Sequence, residues 1–449
     1  MPTHLIVLAA GAGTRMLSDR PKVLHEIGGA PILAHVLAAA QALDGERVLV
    51  VGGDGDAVSK EALRTDGKIR IAEQCEQRGT AHAVTVAAPE LDGKGGDTLV
   101  LLGDTPFIRP ETISAMGKAR ADGAEIVFLG FEASDPGRYG RIVTDGATLL
   151  RIVEWKDADD ATRAIALCNA GLVLAETGTL LRLAAAAGRD NAAGEHYLTD
   201  IAALGRADGL DVRVVACAEE EALGINTCAD LARAESVFQA RARNAAVERG
   251  VTLLSAETVH FAFDTRIDRN VVVEPNVVFG PGVVIESGAR IRAFSHLEGC
   301  HVGRNAVVGP HARLRPGTEL GAGARIGNFV EVKNAEFGEG AQAKHLSYIG
   351  DASIGRDANV GAGTITCNYD GVSKHRTEVG ERAFIGSSTM LVAPVAIGDD
   401  AMTASGSVIT RNVPDGDLAI ARTRQENKPG FARKLLAMLR ATRRAGKAD

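Results

Sequence analysis

Hydrophobic positions follow two different patterns along the chain. Up to about residue 227, apolar runs typical of buried strands alternate with helical stretches, in the order LIVLAA, ILAHVLAAAQAL, RVLVV, TAHAVTVAAPEL and TLVLLGD. Strands separated by helices of this length predict βαβ units on a mostly parallel sheet. Because ligands of such α/β sheets bind beyond the carboxyl ends of the strands, the loops at that edge are expected to carry a nucleotide-type site.

The second pattern is a six-residue repeat. Its aliphatic positions are Ile267, Val273, Phe279, Ile285, Ile291 and Leu297, then, after a slip, Val302, Val308, Leu314, Leu320, Ile326 and Val332, and finally Val379, Ile385, Leu391 and Ile397. A repeat of this period predicts a parallel β-helix, with one short strand and one turn per six residues and three to each coil. The strands of a β-sandwich would instead alternate with a period of two.

These patterns predict three parts. Residues 1–228 form a Rossmann-like α/β domain, residues 229–250 form a linker helix rich in helix formers, and residues 251–449 form the β-helix domain. Within the last part, TCNYDGVSKHRTE interrupts the repeat between Val360 and Val379. Long irregular segments are usually functional, so we predict an arm that reaches toward an adjoining subunit.

A second helix is predicted after Pro429-Gly430, in FARKLLAMLRATRRAGK. Leucines lie on one face, and the basic residues around it are Arg433, Lys434, Arg440, Arg443, Arg444 and Lys447. These charges are either a solvated face or contacts to a phosphate-bearing cofactor, and the sequence leaves both interpretations open.

Composition limits the function classes. A chain of 449 residues is long enough for two or three domains. Its 50 basic and 57 acidic residues are spread along the sequence, with a net charge of −7, so no nucleic-acid-binding stripe is expected. The six cysteines form no CxxC pair, the N-terminal run lacks the basic start of a signal peptide, and no apolar run reaches a membrane-spanning length. We therefore expect a soluble cytoplasmic protein with reduced thiols and no membrane contact.

The loop LAAGAGTRM follows the first predicted strand. It lacks the third glycine of the dinucleotide fingerprint and the Gly-Lys-Ser/Thr of a Walker A loop, and glycine spacing alone is weak evidence for a ligand. Arg15 and Lys22 strengthen the case. Free N–H groups at a helix start, together with two cations, suit a triphosphate whose charge must be spread during substitution at phosphorus.

A divalent cation is expected beside a reacting triphosphate. Asp104, in TLVLLGDTP, stands at the tip of a predicted buried strand, and Mg²⁺ typically takes only one or two protein carboxylates. An Asp after a strand is also a common turn residue, so the motif alone leaves both interpretations open.

Further motifs resemble one enzyme family along nearly the whole chain. They are LAAGAGTRM, PKVLH, QCEQRGTAHA, LLGD, GRYGRIV, IVEWKDA, NAGLVL, EHYLTD and GIN, followed by GNFVEVKNA, KHLSYIGDA and GAGTITCNYDG. Their order resembles that of the bacterial bifunctional N-acetylglucosamine-1-phosphate uridyltransferase and glucosamine-1-phosphate acetyltransferase family. The resemblance implies a left-handed β-helix and two steps. Acetyl-CoA acetylates glucosamine 1-phosphate, and UTP then donates UMP to the product with release of pyrophosphate.

For the uridyl step, the resemblance implies the following roles. The nucleotide is cradled by Leu8, Ala10 and Gly11, and its charge is neutralised by Arg15 and Lys22. The uracil is read by Gln74, Gly79 and Thr80, and the sugar pocket contains Gly140, Glu154, Asn169, Tyr197 and Thr199. The Mg²⁺ ligands are Asp104 and Asn226. Relatives often read GVNN where this chain has GINT, so Thr227 departs from the pattern beside an intact Asn226.

The acetyl step needs a base, because an amino sugar is substantially protonated near neutral pH. The resemblance implies that this base is His345. The implied sugar-phosphate contacts are Arg315, Lys333, Tyr348, Asn359 and Lys374, and the implied acetyl-CoA contacts are Ala362, Asn368, Tyr369, Ser387, Ser405 and Arg422. Ser405 stands where some relatives carry Ala.

The family packs three β-helices side by side, which implies a homotrimer with acetyltransferase sites between subunits. One alternative is a single-activity sugar-nucleotide pyrophosphorylase whose β-helix only oligomerises. Another is a β-helix zinc enzyme that uses His296 and His301, although a catalytic zinc wants a third ligand. A non-catalytic scaffold would leave the phosphate loop and Asp104 without a role.

Overall fold

The computed structural model describes residues 2–11, 13–53, 55–146 and 148–445, with only the backbone of residues 444 and 445. The side chain of Arg444 and the predicted basic residue Lys447 lie outside the described part. Contacts divide the chain into two compact units. One comprises residues 1–245 with His260–Asp264, and the other comprises Ala246–Val259 with the residues from 265 onward.

The first unit is built on one mixed sheet. Its strands are β1 Thr3–Leu8, β2 Glu26–Ile27, β3 Ala30–Pro31, β4 Arg47–Gly52, β5 Arg70–Gln74, β6 Asp97–Leu102, β7 Ile126–Glu132, β8 Arg141–Asp145, β9 Thr148–Val153, β10 Leu167–Glu176 and β11 Val212–Ala216. The described strands of the sheet have the order β5-β4-β1-β6-β10-β7-β11-β9-β8, and β2 pairs with β3 apart from it. Strands β5, β4, β1 and β6 are parallel, whereas β10 runs antiparallel between β6 and β7.

Helices cover both faces of this sheet. They are α1 Ile32–Ala39, α2 Asp56–Thr65, α3 Thr80–Val86, α4 Ala88–Leu91, α5 Pro110–Ala121, α6 Asp160–Arg163, α7 Thr177–Ala186 and α8 Ile201–Ala207. Helix α9, Cys228–Glu248, follows, and its Ala234 packs with Ile27 and Ile32 in a separate cluster. In β1, Leu5 and Val7 pack into the core on one face and Ile6 into the core on the other. Burial on both faces explains why this strand is an unbroken apolar run.

The opening loop does not lead into an α-helix, so that prediction was wrong. A single 3₁₀ turn, Thr14–Met16, lies between Gly13 at φ 61° and Leu17 at φ 50°. Another short turn occupies Lys22–Leu24, and α1 begins only at Ile32. Left-handed residues on both sides of a turn stop a right-handed helix from propagating. Any phosphate bound there would meet a loop rather than a helix N-terminus.

The second unit is a parallel β-helix. Its strands are β12 Thr252–Leu253, β13 Arg266–Ile267, β14 Val272–Val273, β15 Val278–Phe279, β16 Val284–Ile285, β17 Arg290–Ile291, β18 His296–Leu297, β19 Cys300–Val302, β20 Val307–Val308, β21 Arg313–Leu314, β22 Thr318–Leu320, β23 Arg325–Asn328, β24 Glu331–Phe337, β25 Gln342–His345, β26 Tyr348–Ile354, β27 Asn359–Val360, β28 Ile365–Cys367, β29 Thr377–Val379, β30 Phe384–Ile385, β31 Met390–Val392, β32 Val395–Ile397, β33 Met402–Thr403, β34 Val408–Ile409 and β35 Leu418–Ala419. Helix α10, Phe431–Ala445, follows, and its described side chains are exposed.

In the described residues the β-helix has three faces. The first face is the ladder β12-β14-β17-β20-β23-β25-β27-β30-β33-β35. The second contains β15, β18, β21, the first parts of β24 and β26, β28, β31 and β34. The third contains β13, β16, β19, β22, the later parts of β24 and β26, β29 and β32. Strands β24 and β26 continue round the corner between the second and third faces and join them into one sheet.

The aliphatic positions of the six-residue repeat are buried, as predicted, and the most exposed of them, Ile267, is only 7% exposed. The irregular segment, residues 368–376, is inserted between β28 and β29. It lengthens one coil, because Val360 pairs with Ile385, 25 residues further on, whereas Ala343 pairs with Val360, 17 residues further on.

Two other predictions concern the whole chain. The six cysteines, all within the described residues, are free. None of the helices in the described ranges combines the length and apolar character that a bilayer span requires.

Candidate active sites

A cleft of about 340 Å³ lies where β1 and β6 end. It is lined by the opening loop, the end of β5 and the start of α3, through Leu8, Ala9, Ala10, Gly11, Lys22, Val23, Gln74, Gln77, Gly79, Thr80, Ala83, Leu102, Asp104 and Glu195. The residues predicted to cradle the nucleotide and to read the uracil therefore line one cleft at the carboxyl edge of the sheet.

Beside this cleft, the cationic side chains of Arg15 and Lys22 meet the side-chain oxygens of Asp104 and Asn226. We call these four residues the Lys22 junction. The Lys22 ammonium is ion-paired with Asp104 Oδ2 and lies 3.3 Å from Asn226 Oδ1. Arg15 Nη2 donates to the same Asn226 oxygen at 2.7 Å. The N–H of Ile225 donates to the Asp104 carbonyl at 3.0 Å and so ties the two loops together. A carboxylate oxygen and an amide oxygen thus face one cationic position, and such hard oxygen donors suit Mg²⁺.

Thr227, the residue that departs from the family pattern, caps α9. Its Oγ1 accepts from the N–H of Asp230 at 3.1 Å, and the Asp230 carboxylate accepts from the N–H of Thr227 at 2.9 Å. This is a reciprocal capping box. Asp230 also accepts from the N–H of Asn226 at 3.0 Å, so the cap holds the Asn226 backbone while its side chain faces Lys22 and Arg15.

Gln74, at the end of β5, is held firmly in place. It is only 3% exposed, and its Nε2 donates to the Gly79 carbonyl at 3.1 Å. Gly79 has a φ of 114°, and a Cβ at this position would collide with the His196 backbone. Thr80 Oγ1 accepts from the N–H of Leu198 at 2.9 Å. Gln74, Gly79 and Thr80 are therefore packed as one unit against residues 196–198.

The predicted sugar-pocket residues gather around Glu154. Its Oε1 accepts from Thr199 Oγ1 at 3.2 Å, and a Cβ on Gly140 would lie 3.4 Å from both carboxylate oxygens. The N–H of Asn169 donates to the Gly140 carbonyl at 2.8 Å. Burial raises the pKa of Glu154, and burial also raises the pKa of Tyr197 to about 12. The arrangement is a partly desolvated acidic pocket, which suits hydroxyl donors.

In the β-helix, predicted acetyltransferase residues form a row along the corner between the first and second faces. The members of this His345 row are His345, Ala362, Ser387 and Ser405. Backbone hydrogen bonds between successive coils align the row. The N–H groups of Gly363, Ser388 and Gly406 donate to the carbonyls of His345, Ala362 and Ser387 at 3.3, 2.7 and 2.8 Å, respectively. Because strands stack about 4.8 Å apart, the row spans about 14 Å.

Two further predicted residues extend this row. Asn359 lies in β27, three residues before Ala362, on the adjoining edge of the first face. The Arg422 side chain passes over Gly406, next to Ser405, at the far end of the row. The row therefore begins at an imidazole and ends at a guanidinium.

His345 has a partner on the preceding coil. Its Nδ1 lies 2.8 Å from Asn328 Oδ1, and the two residues pair directly in the register of β23 and β25. With the amide oxygen accepting from Nδ1–H, Nε2 is the nitrogen that can take up a proton.

The other predicted sugar-phosphate residues lie at the corner between the second and third faces. Lys333 pairs in register with Gly350, and Arg315 stacks one coil below, where its N–H donates to the Val332 carbonyl at 2.8 Å. The Tyr348 ring extends over Gly350, because a Cβ on that glycine would collide with the ring. We call this group, with Lys374, the Lys333 cluster.

Charge in the Lys333 cluster is predominantly positive. Lys333 Nζ lies 3.6 Å from the Asp351 carboxylate, which also accepts from the Asn368 amide. Lys374 and Tyr369 form an isolated antiparallel β-bridge through their backbones. The hydrogen bond between the Lys374 and Lys333 side chains lowers the pKa of Lys374. Two neighbouring basic amines, one of them ion-paired with Asp351, suit a phosphate.

The His345 row and the Lys333 cluster occupy opposite ends of the second face. His345 and Gly350 are five residues apart on one coil, which separates their Cα atoms by up to about 17 Å. Asn368 and Tyr369, predicted as coenzyme contacts, lie at the Lys333 end, away from the other coenzyme residues.

Family comparisons match both units. The MobA-like NTP transferase domain matches residues 5–166, the bacterial transferase hexapeptide (six repeats) matches residues 264–299 and 299–334, and the hexapeptide repeat of succinyl-transferase matches residues 376–411. The "Bifunctional protein GlmU" of Dinoroseobacter shibae is 61% identical over 446 residues, which cover 99% of each chain. The protein of the same name from Cereibacter sphaeroides is 60% identical and covers 99% of this chain and 98% of its own length. This chain belongs to the bifunctional GlmU family.

A more distant match is the solved structure of the inositol-1-phosphate CTP transferase from T. maritima. It is 19% identical, covers 51% of this chain and 90% of that one, and has a TM-score of 0.41. The GlmU assignment depends on the full-length relatives and not on this structure.

Two residues that contact the candidate sites of this GlmU-family chain were not singled out from the sequence. Asn328 precedes His345 by 17 residues, which is one coil, so counting coil lengths could have found it. Gln77 Nε2 donates to the Ala10 carbonyl at 2.5 Å and connects QCEQRGT to the opening loop. Its place in a motif already singled out was the available signal.

His296 and His301, the ligands of the zinc alternative, lie on different faces of the β-helix. His301, on the third face, contacts Glu286 and Glu319 at 3.0 and 3.1 Å with its two ring nitrogens. His296 lies in β18, on the second face. Among the residues that the structure describes, no group of three His, Cys, Asp or Glu side chains could hold a metal ion.

Proposed function

We propose that this GlmU-family chain catalyses two consecutive steps of UDP-N-acetylglucosamine synthesis. The second unit transfers the acetyl group of acetyl-CoA to the amine of glucosamine 1-phosphate. The first unit transfers UMP from UTP to the resulting N-acetylglucosamine 1-phosphate and releases pyrophosphate. The observation that carries the proposal is the presence, in one chain, of the Lys22 junction and of the His345 row.

In the uridyl step, the sugar phosphate attacks the α-phosphorus of UTP as pyrophosphate leaves, so the protein must position two anions and neutralise their charge. The Lys22 ammonium has three donor hydrogens and can contact Asp104 and a phosphate oxygen together. Arg15 supplies a second cation on the other side of Asn226. Asp104 and Asn226 would hold Mg²⁺, which adds charge neutralisation at the phosphates when it is bound.

The acidic pocket around Glu154 suits the sugar of the second substrate. A carboxylate can accept several hydrogen bonds from sugar hydroxyls, and Glu154 receives one protein hydrogen bond from Thr199. Gly140 brings no side chain against this carboxylate and so leaves room for a ring. Gln74, with its amide fixed at the cleft wall, is placed to hydrogen-bond the base of the nucleotide.

In the acetyl step, His345 Nε2 takes a proton from the amine while the amine nitrogen bonds to the thioester carbonyl carbon. The carbon–sulfur bond then breaks, and the imidazolium returns the proton to the departing CoA sulfur. Asn328 contributes by accepting from Nδ1–H, which keeps the lone pair on Nε2. Starting from the neutral amine, the proton balance is closed, because His345 ends neutral. An amine that arrives as an ammonium first gives its extra proton to solvent.

The His345 row has the form that an extended coenzyme requires. Ala362, Ser387 and Ser405 are small and leave a straight strip of accessible backbone beside His345. The acetyl group would lie at His345, and the phosphates of the coenzyme would lie near Arg422, about 14 Å or more away along the stacked strands.

A homotrimer would complete this site. The amine and the phosphate of glucosamine 1-phosphate are on adjacent ring carbons, so one molecule would have to extend across the second face to contact both corners of a single chain. We infer that the Lys333 cluster of one subunit faces the His345 row of the next, with residues 368–376 as the arm between subunits. This pairing would also place Asn368 and Tyr369 beside coenzyme bound to the neighbouring row.

The test is a coupled assay from glucosamine 1-phosphate, acetyl-CoA and UTP in which CoA and pyrophosphate are followed separately. Asp104→Ala is expected to abolish pyrophosphate release and to spare CoA release, and His345→Ala to do the reverse when each product is measured with its own substrate supplied. Failure of the wild-type chain to release CoA would favour the single-activity pyrophosphorylase. Loss of both activities in either folded variant would contradict two independent sites.

We expect the enzyme to act in the cytoplasm on small molecules alone. Its substrates are nucleotides, coenzyme and sugar phosphates of internal metabolism, and its free thiols fit a reducing compartment. Fractionation of cells that express the chain, with activity recovered in the membrane pellet, would contradict this.

A further inference from the structure

We propose that a groove beside His345 binds a polyphosphate group and that this ligand inhibits acetyl transfer. The groove has a volume of about 400 Å³ and extends from His345 toward the amino-terminal coils of the first face. Its charged lining is Arg290, Arg292, Arg325 and Lys344. The inhibitory part of the inference rests on the proposed acetyltransferase function, whereas the binding part does not.

The register of the coils surrounds the groove floor with these four cations. Arg290, Val307 and Arg325 follow one another on successive coils, so the two arginines are about 10 Å apart at Cα. Arg292 directly follows β17, and Lys344 lies in β25 beside Gly327 of β23. Gly309 and Gly327 also line the groove. Because Val307 and the two glycines have short or no side chains, the space between the cations stays open.

The four cations of the groove form no ion pair within the described part of the chain. Other arginines of the same unit do, with Arg315 at 2.9 Å from Glu331, Arg356 at 2.8 Å from Glu381 and Arg382 at 2.8 Å from Asp400. A concave surface with several unpaired cations of one sign attracts and retains a multivalent anion.

The dimensions favour linked phosphates over a single one. Arg290 and Arg325 are anchored about 10 Å apart at Cα, with Arg292 and Lys344 beside them, so four cations border a groove longer than one phosphate group. Guanidinium groups bind phosphate oxygens in bidentate fashion. The groove is also within the usual size of small-molecule sites, at about 300–1,000 Å³. It runs from His345 in the direction opposite to Ser405, so it is distinct from the strip proposed for the coenzyme.

Inhibition follows from the shared lining. His345 and Asn328 both line the groove, so a bound polyphosphate would occupy the approach to the imidazole that takes the proton from the amine. Inorganic pyrophosphate and the triphosphate tail of UTP both carry the required chemistry, and the uridyl step consumes one and produces the other.

The experiment measures CoA release by the full-length protein, without added Mg²⁺ and at constant ionic strength, against rising inorganic pyrophosphate in one arm and UTP in the other. The test variant is Arg290→Gln/Arg325→Gln. The matched control is Arg266→Gln, an exposed arginine in β13 on the third face. We expect the double variant to keep basal CoA release within about twofold and to need at least about tenfold more pyrophosphate for half-inhibition, since two charged hydrogen-bond donors are lost. The control should behave as wild type.

Inhibition by pyrophosphate alone would identify the free anion as the ligand, and equal inhibition by UTP would extend the site to nucleotides. The inference is overturned if wild-type CoA release is insensitive to both ligands, or if the double variant is inhibited as strongly as wild type. It is also overturned if the double variant loses its oligomeric state in light scattering, which would show that a second copy neutralises the arginines. Absence of basal CoA release in the wild type would instead contradict the proposed function, and direct pyrophosphate titration of wild type and variant would still test the binding.

Discussion

The placement of the proposed acetyltransferase residues on two corners leads to a prediction about mixed oligomers. His345→Ala disables the His345 row, and Lys333→Ala disables the Lys333 cluster. If each site takes its row from one subunit and its cluster from the next, a trimer that contains both variants has some sites in which both parts are intact. Each variant alone should have little acetyltransferase activity. His345→Ala lacks the proposed base, and loss of the charged phosphate contact in Lys333→Ala should lower the rate of acetyl transfer about tenfold or more.

The expected recovery can be calculated. In trimers assembled at random from equal amounts of the two chains, a site has an intact row with a probability of one half and an intact cluster from its neighbour with a probability of one half, so about a quarter of the sites should be active. The assay is CoA release after the two purified variants are unfolded and refolded together, with pyrophosphate release as the internal measure of correct folding.

A matched pair serves as the control. His345→Ala mixed with Asn359→Ala should recover no acetyltransferase activity, because both changes lie on the same corner and every site then has a damaged row. Recovery in this control would mean that the row itself is assembled from two chains. Absence of recovery in the His345→Ala and Lys333→Ala mixture, with mixed trimers demonstrated by mass spectrometry, would refute the two-corner reasoning.

Two other predictions concern single side chains. Asn328→Ala should lower kcat of acetyl transfer by about fivefold, which corresponds to about 1 kcal/mol for one neutral hydrogen bond. Asn328→Asp should keep kcat close to that of the wild type, because a carboxylate oxygen also accepts from Nδ1–H. With uridyl transfer as the reference activity, an unchanged kcat in Asn328→Ala would show that Asn328 has no role in the mechanism. Burial raises the pKa of Glu154 in the folded protein, so above the unfolded pKa the buried charge of Glu154 destabilises the folded state. Glu154→Gln should therefore raise Tm at pH 7 to 8, lose this gain as the pH falls to about 4, and weaken sugar-phosphate binding. The control variant Glu132→Gln, at an exposed position, should show no such trend, and a Tm gain of Glu154→Gln that persists at pH 4 would contradict the assignment.

The β-helix could be predicted closely because its period is local. An aliphatic residue at every sixth position needs no information from distant parts of the chain, and positions such as Ile291 and Ile385 are buried as expected. The corners were harder to predict, because they depend on the sum of coil lengths. A coil of 17 residues places Asn328 beside His345, and an error of one residue would place another side chain there.

The first unit shows what local patterns leave out. The sequence indicated Lys22 and Asp104 separately, and each had an ordinary interpretation as a surface charge or a turn residue. Lys22 and Asp104 are 82 residues apart in the chain, and their ion pair depends on the pairing of β1 with β6. The predicted helix after LAAGAG failed for a local reason that a glycine count did not reveal, since Leu17 as well as Gly13 adopts a left-handed conformation.

The geometry of a β-helix explains why this acetyltransferase would need more than one chain. Stacked coils place residues 17 or 18 positions apart into straight rows, which suits a long ligand such as the coenzyme. A small sugar phosphate instead needs donors that converge from several sides, and the outside of a convex corner cannot supply them. Apposing the corner that carries His345 to the corner that carries Lys333 of a second copy creates the missing concavity. If the proposed site between subunits is correct, acetyl transfer requires oligomerisation, and monomeric variants that keep the β-helix folded should retain uridyl transfer while losing acetyl transfer.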